Sequence, residues 1–209
     1  MKSFKSLDQY RRDIFTKMNL PLKRGGKILD VGCGDGDDCK VFIDNFKLKT
    51  YGIDVYRSEK IRDVNELNFK KGSIYEIPFG DNFFDYVFLQ NVLHHVDEPK
   101  QRNKRHVEAL KELKRVCKRG GLIMILEGNR YNPLFYPHMV RMEKHDHFKQ
   151  SYFYKIIGQV FQRYEIKHFE GHVYPASLIK LFKVYDWVMD NFSPKQFKAY
   201  NLAIIENEK

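Results

Sequence analysis

The chain has 209 residues, of which 43% are hydrophobic and 15% aromatic, and its formal net charge at pH 7 is +10. This length and apolar content fit a single domain, residues 1–209, with a large core. The sequence excludes a membrane-spanning helix, which needs roughly 20 consecutive apolar residues, and residues 1–20 lack the apolar run of a signal peptide.

Apolar periodicity predicts the elements of the first 127 residues. Apolar residues at helical spacing over 3–18 predict an N-terminal amphipathic helix. A second helix should begin at Asp37 or Asp38, whose carboxylate can cap it, and its apolar stripe extends to Phe46. Further helices are predicted at 58–66 and 100–118. Strands are predicted at 27–31, 50–54, 68–72, 85–90 and 122–127. This alternation is typical of a doubly wound α/β sheet.

The pattern changes after residue 127. Residues 128–150 are rich in Tyr, His, Pro and Met and follow no simple period. A helix is predicted at 151–161, and strands are predicted at 163–169 and 200–205. A last helix is predicted over 176–192 from apolar residues at helical spacing, namely Leu178, Leu181, Phe182, Tyr185, Val188 and Met189.

The three cysteines, Cys33, Cys39 and Cys117, have no paired spacing. An odd count without such spacing argues against a disulfide framework, so we expect a reducing, cytoplasmic location. The basic residues are spread along the chain, which favours a solvated surface. Nucleic acid, an anionic membrane surface or an acidic substrate would also suit the charge.

The segment 28–38, ILDVGCGDGDD, carries the strongest chemical signal. A buried strand is followed by alternating glycines at 32, 34 and 36, which let a backbone approach a ligand closely. The spacing departs from the dinucleotide fingerprint G-x-G-x-x-G, because Asp37 stands where its third glycine would be. Four carboxylates near the turn would repel a diphosphate and tolerate a cation. They belong to Asp30, Asp35, Asp37 and Asp38.

Four segments within residues 27–129 resemble, in this order, the class I S-adenosylmethionine-dependent methyltransferases, of the group that includes the ubiquinone and menaquinone C-methyltransferases. The segments are ILDVGCGDGDD, YGIDV, GSIYEIPFGDNFFDYVFLQNVLHHVDEP and LKELKRVCKRGGLIMILEGN. The resemblance implies a Rossmann-like seven-stranded sheet of order 3-2-1-4-5-7-6 with an antiparallel last strand. It also implies that residues 1–26 cover the cofactor, S-adenosylmethionine, and that 128–162 and 171–198 form a substrate lid.

The resemblance assigns roles around this turn. Asp30 would help to hold the cofactor ammonium, and Gly32 and Gly34 would pass under its methionine part. Asp54, which ends the second predicted strand, has two carboxylate oxygens that can accept from both ribose hydroxyls. Either Tyr10 or Arg11 could touch the methionine carboxylate.

Position 73 departs from the family pattern. The family usually has an acid there that accepts from the adenine amino group, whereas this chain has Ser73, which can accept one bond, and Ile74, which can cover the adenine face. The complete predicted cofactor set is Asp30, Gly32, Cys33, Gly34, Gly36, Asp54, Val55, Ser73, Ile74, Gln90 and His95.

Catalytic and substrate residues are less constrained by the sequence. If the acceptor needs a base, the candidates are His95, His138 and His147. Tyr131, Tyr136 and His138 are candidates for the substrate pocket. No metal is predicted, because the neighbouring His145 and His147 are two residues apart and cannot face one way on a helix.

We therefore expect methyl transfer to a small aromatic or lipid-like molecule. The +10 charge leaves RNA or protein as an alternative acceptor. A non-catalytic regulator that binds S-adenosylmethionine and a nicotinamide-dependent dehydrogenase are further alternatives. The acceptor, the methylated atom and the oligomeric state stay open.

Overall fold

The fold is built on one seven-stranded sheet of order β3-β2-β1-β4-β5-β7-β6, as predicted. The computed structural model describes residues 7–98, 100–142, 147–174 and 176–208. The strands are β1 (Lys27–Val31), β2 (Lys49–Asp54), β3 (Asn68–Lys71), β4 (Phe84–Gln90), β5 (Cys117–Gly128), β6 (Tyr164–Phe169) and β7 (Tyr200–Glu206). The pairs among β1 to β5 are parallel, and β7 runs antiparallel to both of its neighbours, β5 and β6.

Five helices cover the sheet in the described ranges. They are α1 (Leu7–Met18), α2 (Asp37–Asp44), α3 (Asn103–Val116), α4 (Gln150–Val160) and α5 (Ile179–Phe192). Shorter 3-10 turns occupy Glu59–Asp63, Leu93–His95, Ala176–Leu178 and Lys195–Phe197, and a π-helical stretch occupies Tyr136–Met142. No helix among these residues is both long and apolar enough to cross a bilayer.

The two faces of the sheet bury separate apolar layers. On one face, Leu110 and Leu113 of α3 join Phe153 and Ile156 of α4 over the central strands. On the other face, Phe15 of α1 and residues of α2 pack against the sheet. Strands covered on both faces read as continuous apolar runs, which is why β4 and the second half of β5 were predictable from the sequence.

The start of α2 differs from the prediction. Its N-cap is Gly36, in the left-handed region at φ 81°, and no side chain caps the helix. Asp37 and Asp38 lie in the first turn instead, where Arg11 pairs with them at 2.7 and 3.1 Å. The prediction of an aspartate cap was therefore wrong, because the glycine turn supplies the left-handed residue and α1 supplies a cation for the carboxylates.

The boundary between α3 and β5 also differs. The sequence predicted a helix over 100–118 and a strand from 122, whereas α3 ends at Val116 and β5 begins at Cys117. The side-chain amide of Asn207, just beyond β7, donates to the carbonyl groups of Lys114, Cys117 and Lys118 at 3.1, 2.8 and 3.1 Å. These bonds from a distant residue hold Cys117 and Lys118, which the sequence predicted as helical, at the start of β5.

The apolar residues from which the last helix was predicted are divided between the interior and the solvent. Met189 is buried, while Leu178, Leu181 and Val188 are exposed. The helix α5 meets the body along one side only, where Phe182 stacks on Tyr174 with ring centroids 5.0 Å apart. The apolar arc of this helix is wider than the surface available to cover it.

An ion pair on α3 fixes the segment between β3 and β4. Glu112 accepts from Arg115 at 2.7 and 2.8 Å and from the Ile77 backbone N–H at 2.8 Å. Arg115 also donates to the carbonyl groups of Ile77 and Phe79, each at 3.0 Å. These bonds hold the loop that begins with Gly72 and Ser73 at the edge of the sheet.

We expect Glu112→Gln to lower the free energy of unfolding by about 1 kcal/mol at about pH 7, because the amide loses the ion pair. The hydrogen bond from Arg115 holds the pKa of Glu112 below its ordinary value. Stabilisation from a depressed carboxyl pKa is present above the unfolded-state pKa and is lost as pH falls through the folded-state pKa. The difference between wild type and variant should thus shrink below about pH 4.

Urea unfolding across this pH range provides the measurement. Glu165→Gln, which changes an exposed carboxylate on β6, serves as the control and should alter stability by less than about 0.5 kcal/mol. A Glu112→Gln effect that stays constant in acid would contradict the role given to the ion pair.

Candidate functional site

A cavity of about 460 Å³ opens at the carboxyl ends of β1, β2 and β4. The chain order reverses around β1, so this is the switch point at which open α/β sheets bind ligands. We call it the first cavity. Its lining residues are Val31, Gly32, Gly34, Ile53, Asp54, Val55, Tyr56, Gly72, Ser73, Ile74, Tyr75, Gln90, Asn91, Val92, His95, Val96 and Asp97.

Glycine is required at two positions of the turn after β1, Gly32 and Gly34, for different reasons. Both have positive φ, 73° at Gly32 and 52° at Gly34. A Cβ on Gly32 would lie 2.5 Å from the Val92 Cγ2 atom, so this position needs glycine for packing. A Cβ on Gly34 would meet nothing within 4 Å. Because Gly34 lines the cavity, its missing side chain leaves room for a ligand.

Asp54 is held at the rim of the first cavity by two backbone groups. Its Oδ2 atom accepts from the Gly34 N–H at 2.9 Å, and its Oδ1 atom accepts from the Tyr56 N–H at 3.2 Å. A carboxylate has about four lone-pair sites, so each oxygen can accept another bond. The two bonds orient the carboxylate and leave each oxygen able to accept from a hydroxyl of a diol.

The other acids of the turn are largely balanced by cations of the chain. Lys60 and the Ser58 hydroxyl both donate to Asp35, at 2.6 and 2.5 Å, as Arg11 does to the first turn of α2. Asp30 is buried, where it accepts from the Cys39 thiol at 3.2 Å. Burial, followed by the nearby Asp38 carboxylate, raises the pKa of Asp30 well above its ordinary value. The four acids therefore do not form the open anionic cluster that the sequence suggested.

Eight of the eleven predicted cofactor residues line the first cavity. They are Gly32, Gly34, Asp54, Val55, Ser73, Ile74, Gln90 and His95. The other three are not among its lining residues: Asp30 lies beneath the turn, Cys33 packs close to Gly52, and Gly36 caps α2. Sequence reasoning missed Tyr56, Tyr75, Val92, Val96 and Asp97, whose only signal was adjacency to predicted residues.

The first cavity is also lined by Ser73, which follows β3, and by Gln90, which ends β4. Ser73 Oγ accepts from the Tyr75 N–H at 3.2 Å, and Ile74 forms a buried apolar wall beside it. The Gln90 Oε1 atom is buried and accepts no hydrogen bond from the residues that the structure describes. A polar atom of this kind fits a ligand that supplies a donor.

A buried carboxylate organises the loop after β4. The Oε1 atom of Glu127 accepts from the backbone N–H groups of Val92 and Leu93 at 3.0 and 2.7 Å, and its Oε2 atom lies 2.6 Å from His94 Nδ1. Glu127 lies in the segment ILEGN, which belongs to the fourth family-like segment, but the sequence predicted no role for this residue. His95 follows on the same loop, half-exposed, with Nδ1 3.1 Å from Glu98 Oε2.

A second cavity of about 490 Å³ adjoins the first through a shared wall residue, Asn91. Asn91 has a left-handed φ of 53°, and its Oδ1 atom accepts from the Gly128 N–H at 3.0 Å. We call this space the second cavity. Its lining residues are Tyr10, Asn91, Leu134, Phe135, His147, Gly171, His172, Val173, Phe182 and Tyr200.

The second cavity is mainly aromatic, with a few polar groups. The hydroxyls of Tyr10 and Tyr200 are hydrogen-bonded to each other, and His172 pairs with the buried Glu170. The His147 ring is buried and lies 4.6 Å from the His94 ring, centroid to centroid. Such a wall suits a ring-containing ligand with a polar edge.

Among the predicted catalytic and substrate residues, one lines the second cavity and two lie at the surface. His147 lines the second cavity, whereas Tyr131 and Tyr136 are exposed, and the nearby Leu134 and Phe135 line it instead. The side chain of His138 and residues 143–146, which include His145, lie outside the described part of the structure. Tyr10 lines the second cavity rather than the first.

Comparison with known proteins connects these features to a family. Residues 29–125 match the methyltransferase domain family. The chain is 34% identical over 152 residues to the uncharacterized methyltransferase C1B3.06c of Schizosaccharomyces pombe, an alignment that covers 65% of this chain and only 51% of that protein. It is 25% identical over 212 residues to a demethylmenaquinone methyltransferase of Geobacillus stearothermophilus, covering 93% and 84% of the two chains.

A solved structure shares the fold. The S-adenosylmethionine-dependent methyltransferase from Archaeoglobus fulgidus superimposes with a TM-score of 0.68 at 17% identity, over 95% of this chain and 93% of that one. At this identity the likeness concerns the fold alone.

The two glycines provide a paired test of the turn. We expect Gly34→Ala to lose about 1 kcal/mol of stability from its left-handed backbone, and to weaken binding of S-adenosylhomocysteine about tenfold or more, since the methyl group enters the first cavity. Gly32→Ala should lose at least about 2 kcal/mol more, because its Cβ meets Val92.

Denaturant unfolding and calorimetric titration measure these two effects. Gly120→Ala is the matched control, since Gly120 has a φ of 72° and open space around its Cβ but lies on β5 away from the cavity. Gly120→Ala should lose about 1 kcal/mol of stability, as Gly34→Ala does, and should bind S-adenosylhomocysteine like wild type. Equal affinities for Gly34→Ala and Gly120→Ala would contradict a ligand at this turn.

Proposed function

We propose that the chain acts as a class I S-adenosylmethionine-dependent methyltransferase and methylates a small aromatic or lipid-like molecule held in the second cavity. The observation that carries this proposal is the junction of the two cavities at Asn91. One cavity has the groups that suit the methyl donor, and the other has the aromatic walls that suit an acceptor.

The first cavity suits the donor at four points. The two oxygens of Asp54 would accept from the ribose hydroxyls, and Gly34 gives the ligand close access to the backbone. Ser73 and Ile74 would meet the adenine ring, and the orphan oxygen of Gln90 would accept from a donor group of the ligand. S-adenosylmethionine supplies a methyl group on a positively charged sulfur, already activated for transfer.

The protein mainly has to align two partners. Holding a nucleophile and the methyl group about 3 Å apart in line supplies much of the rate. The acceptor lone pair forms the new bond to carbon while the carbon–sulfur bond breaks and the sulfur keeps its electron pair. Asn91 stands where the partners would meet, and its bond to Gly128 joins the ends of β4 and β5 there.

An acceptor with an acidic proton needs a base, and His147 is our candidate. Its ring is buried in the wall of the second cavity, and a neutral imidazole can take a proton near neutral pH. His95 lies at the rim of the first cavity and is half-exposed, which makes it the weaker candidate. An acceptor that is a neutral amine needs no base for the bond-forming step.

The acceptor class is supported by the lining and by one relative. Phe135, Phe182 and Tyr200 offer apolar ring surface, and the Geobacillus relative is named for a demethylmenaquinone. The helix α3 is rich in basic residues but contains no Phe, Tyr or Trp of its own for base stacking, which argues against RNA.

The proposal predicts where labelled methyl groups go. After incubation of the protein with methyl-labelled S-adenosylmethionine and a cell extract freed of membranes, the label should appear in the solvent-extractable small-molecule fraction. The rate should change little between low and high salt, whereas binding to nucleic acid falls steeply as counterions are released. Label recovered in RNA or in protein would overturn the proposed acceptor class.

Two aspartates serve as variant and matched control. Asp54→Asn should weaken donor binding about tenfold or more, because the ribose loses a charged acceptor. Asp35→Asn makes the same chemical change on the neighbouring glycine turn, at a residue outside the first cavity, and should bind and label normally. Equal losses in both variants would contradict the specific role of Asp54.

A further inference from the structure

The helix α5 exposes apolar side chains that a surface helix would normally bury. Leu181, Trp187 and Phe192 are 63%, 59% and 70% exposed, and Val184 and Val188 are exposed beside them. Surface helices of globular proteins usually direct polar side chains outward. A contiguous apolar patch of this kind is typical of a binding surface. We call these five residues the α5 patch.

The lysines and acids of α5 are distributed around the helix. Lys180 and Lys183 are exposed, while Asp190 faces the body, where it accepts from the Glu170 backbone N–H at 2.7 Å and pairs with Lys17. Asp186 likewise lies beside Glu170 and His172, with all three ligand atoms within 4.8 Å of one another. Lys183 lines a groove together with both acids, whereas Lys180 directly precedes Leu181 and places a cation beside the α5 patch.

This arrangement matches an anionic lipid surface. Helices that lie in a membrane interface place Trp, Phe and Leu into the headgroup boundary and surround them with lysines, which reach up to the lipid phosphates. The formal charge of +10 on the whole chain adds attraction to such a surface. No described helix is suited to cross a bilayer, so the contact would lie in the interfacial plane.

The helix α5 also connects this contact to the second cavity. Phe182, on the inner side of the same helix, lines the second cavity. It is adjacent in sequence to Leu181 of the α5 patch and stacks on Tyr174. One helix thus forms both a wall of the acceptor cavity and the exposed apolar face.

From these observations we propose that the α5 patch docks the protein on anionic lipid membranes. The contact brings the second cavity to a surface where apolar molecules are concentrated. The inference goes beyond the proposed function, because membrane docking is measured without any methyl transfer.

Vesicle flotation tests the docking. The protein should float with vesicles of phosphatidylglycerol mixed with phosphatidylcholine, and much less with phosphatidylcholine alone. Leu181→Gln and Trp187→Gln should each weaken binding about tenfold. Lys180→Gln should weaken it about fivefold and reduce its salt dependence.

Met142→Gln is the matched control, since Met142 is 74% exposed but lies outside α5; it should float like wild type. Circular dichroism confirms folding, and label transfer to an extract freed of membranes should be equal in all variants. A protein that ignores anionic vesicles, or binds them equally after the α5 substitutions, overturns the inference while leaving the proposed function standing. A wild-type dimer that Leu181→Gln converts to monomer assigns the patch to a second copy and also overturns it.

Discussion

The site depends on one buried carboxylate at the end of β5. Glu127 accepts from two successive backbone N–H groups after β4 and pairs with His94, and the next residue, Gly128, donates to Asn91. A buried polar group is costly unless it is hydrogen-bonded, and here two backbone N–H groups and the His94 ring are its partners. These bonds join the carboxyl ends of β4 and β5, and thereby fix the residue at which the two cavities meet.

Much of the donor site could be predicted because its signals are local. The apolar runs of β1 and β4, the glycines at 32 and 34, and the acid that ends β2 each follow from short-range pattern and backbone sterics. The strand order came from the family resemblance and is confirmed by the pairing. The charge argument was less successful, because the partners of the turn acids, Arg11 and Lys60, come from other elements.

The remaining features depend on contacts between distant parts of the chain. Glu127 acquires its role from a loop more than thirty residues earlier, and Asn207 moves the start of β5 from ninety residues away. Apolar spacing alone does not distinguish a buried stripe from an exposed one, so it predicted the helix that contains Leu181 and Val188 but not their exposure. Where a helix exposes such residues, local pattern and tertiary packing disagree, and such disagreements occur at functional surfaces.

The central claim is that donor and acceptor occupy separate cavities that meet at Asn91. Val173→Trp tests it most directly, because Val173 is an exposed lining residue of the second cavity alone, and a large ring there fills the acceptor space. Calorimetry should give an affinity for S-adenosylhomocysteine within about twofold of wild type, while label transfer to the small-molecule fraction is lost. A variant that still methylates at the normal rate, or that loses cofactor binding as well, would contradict the two-cavity account.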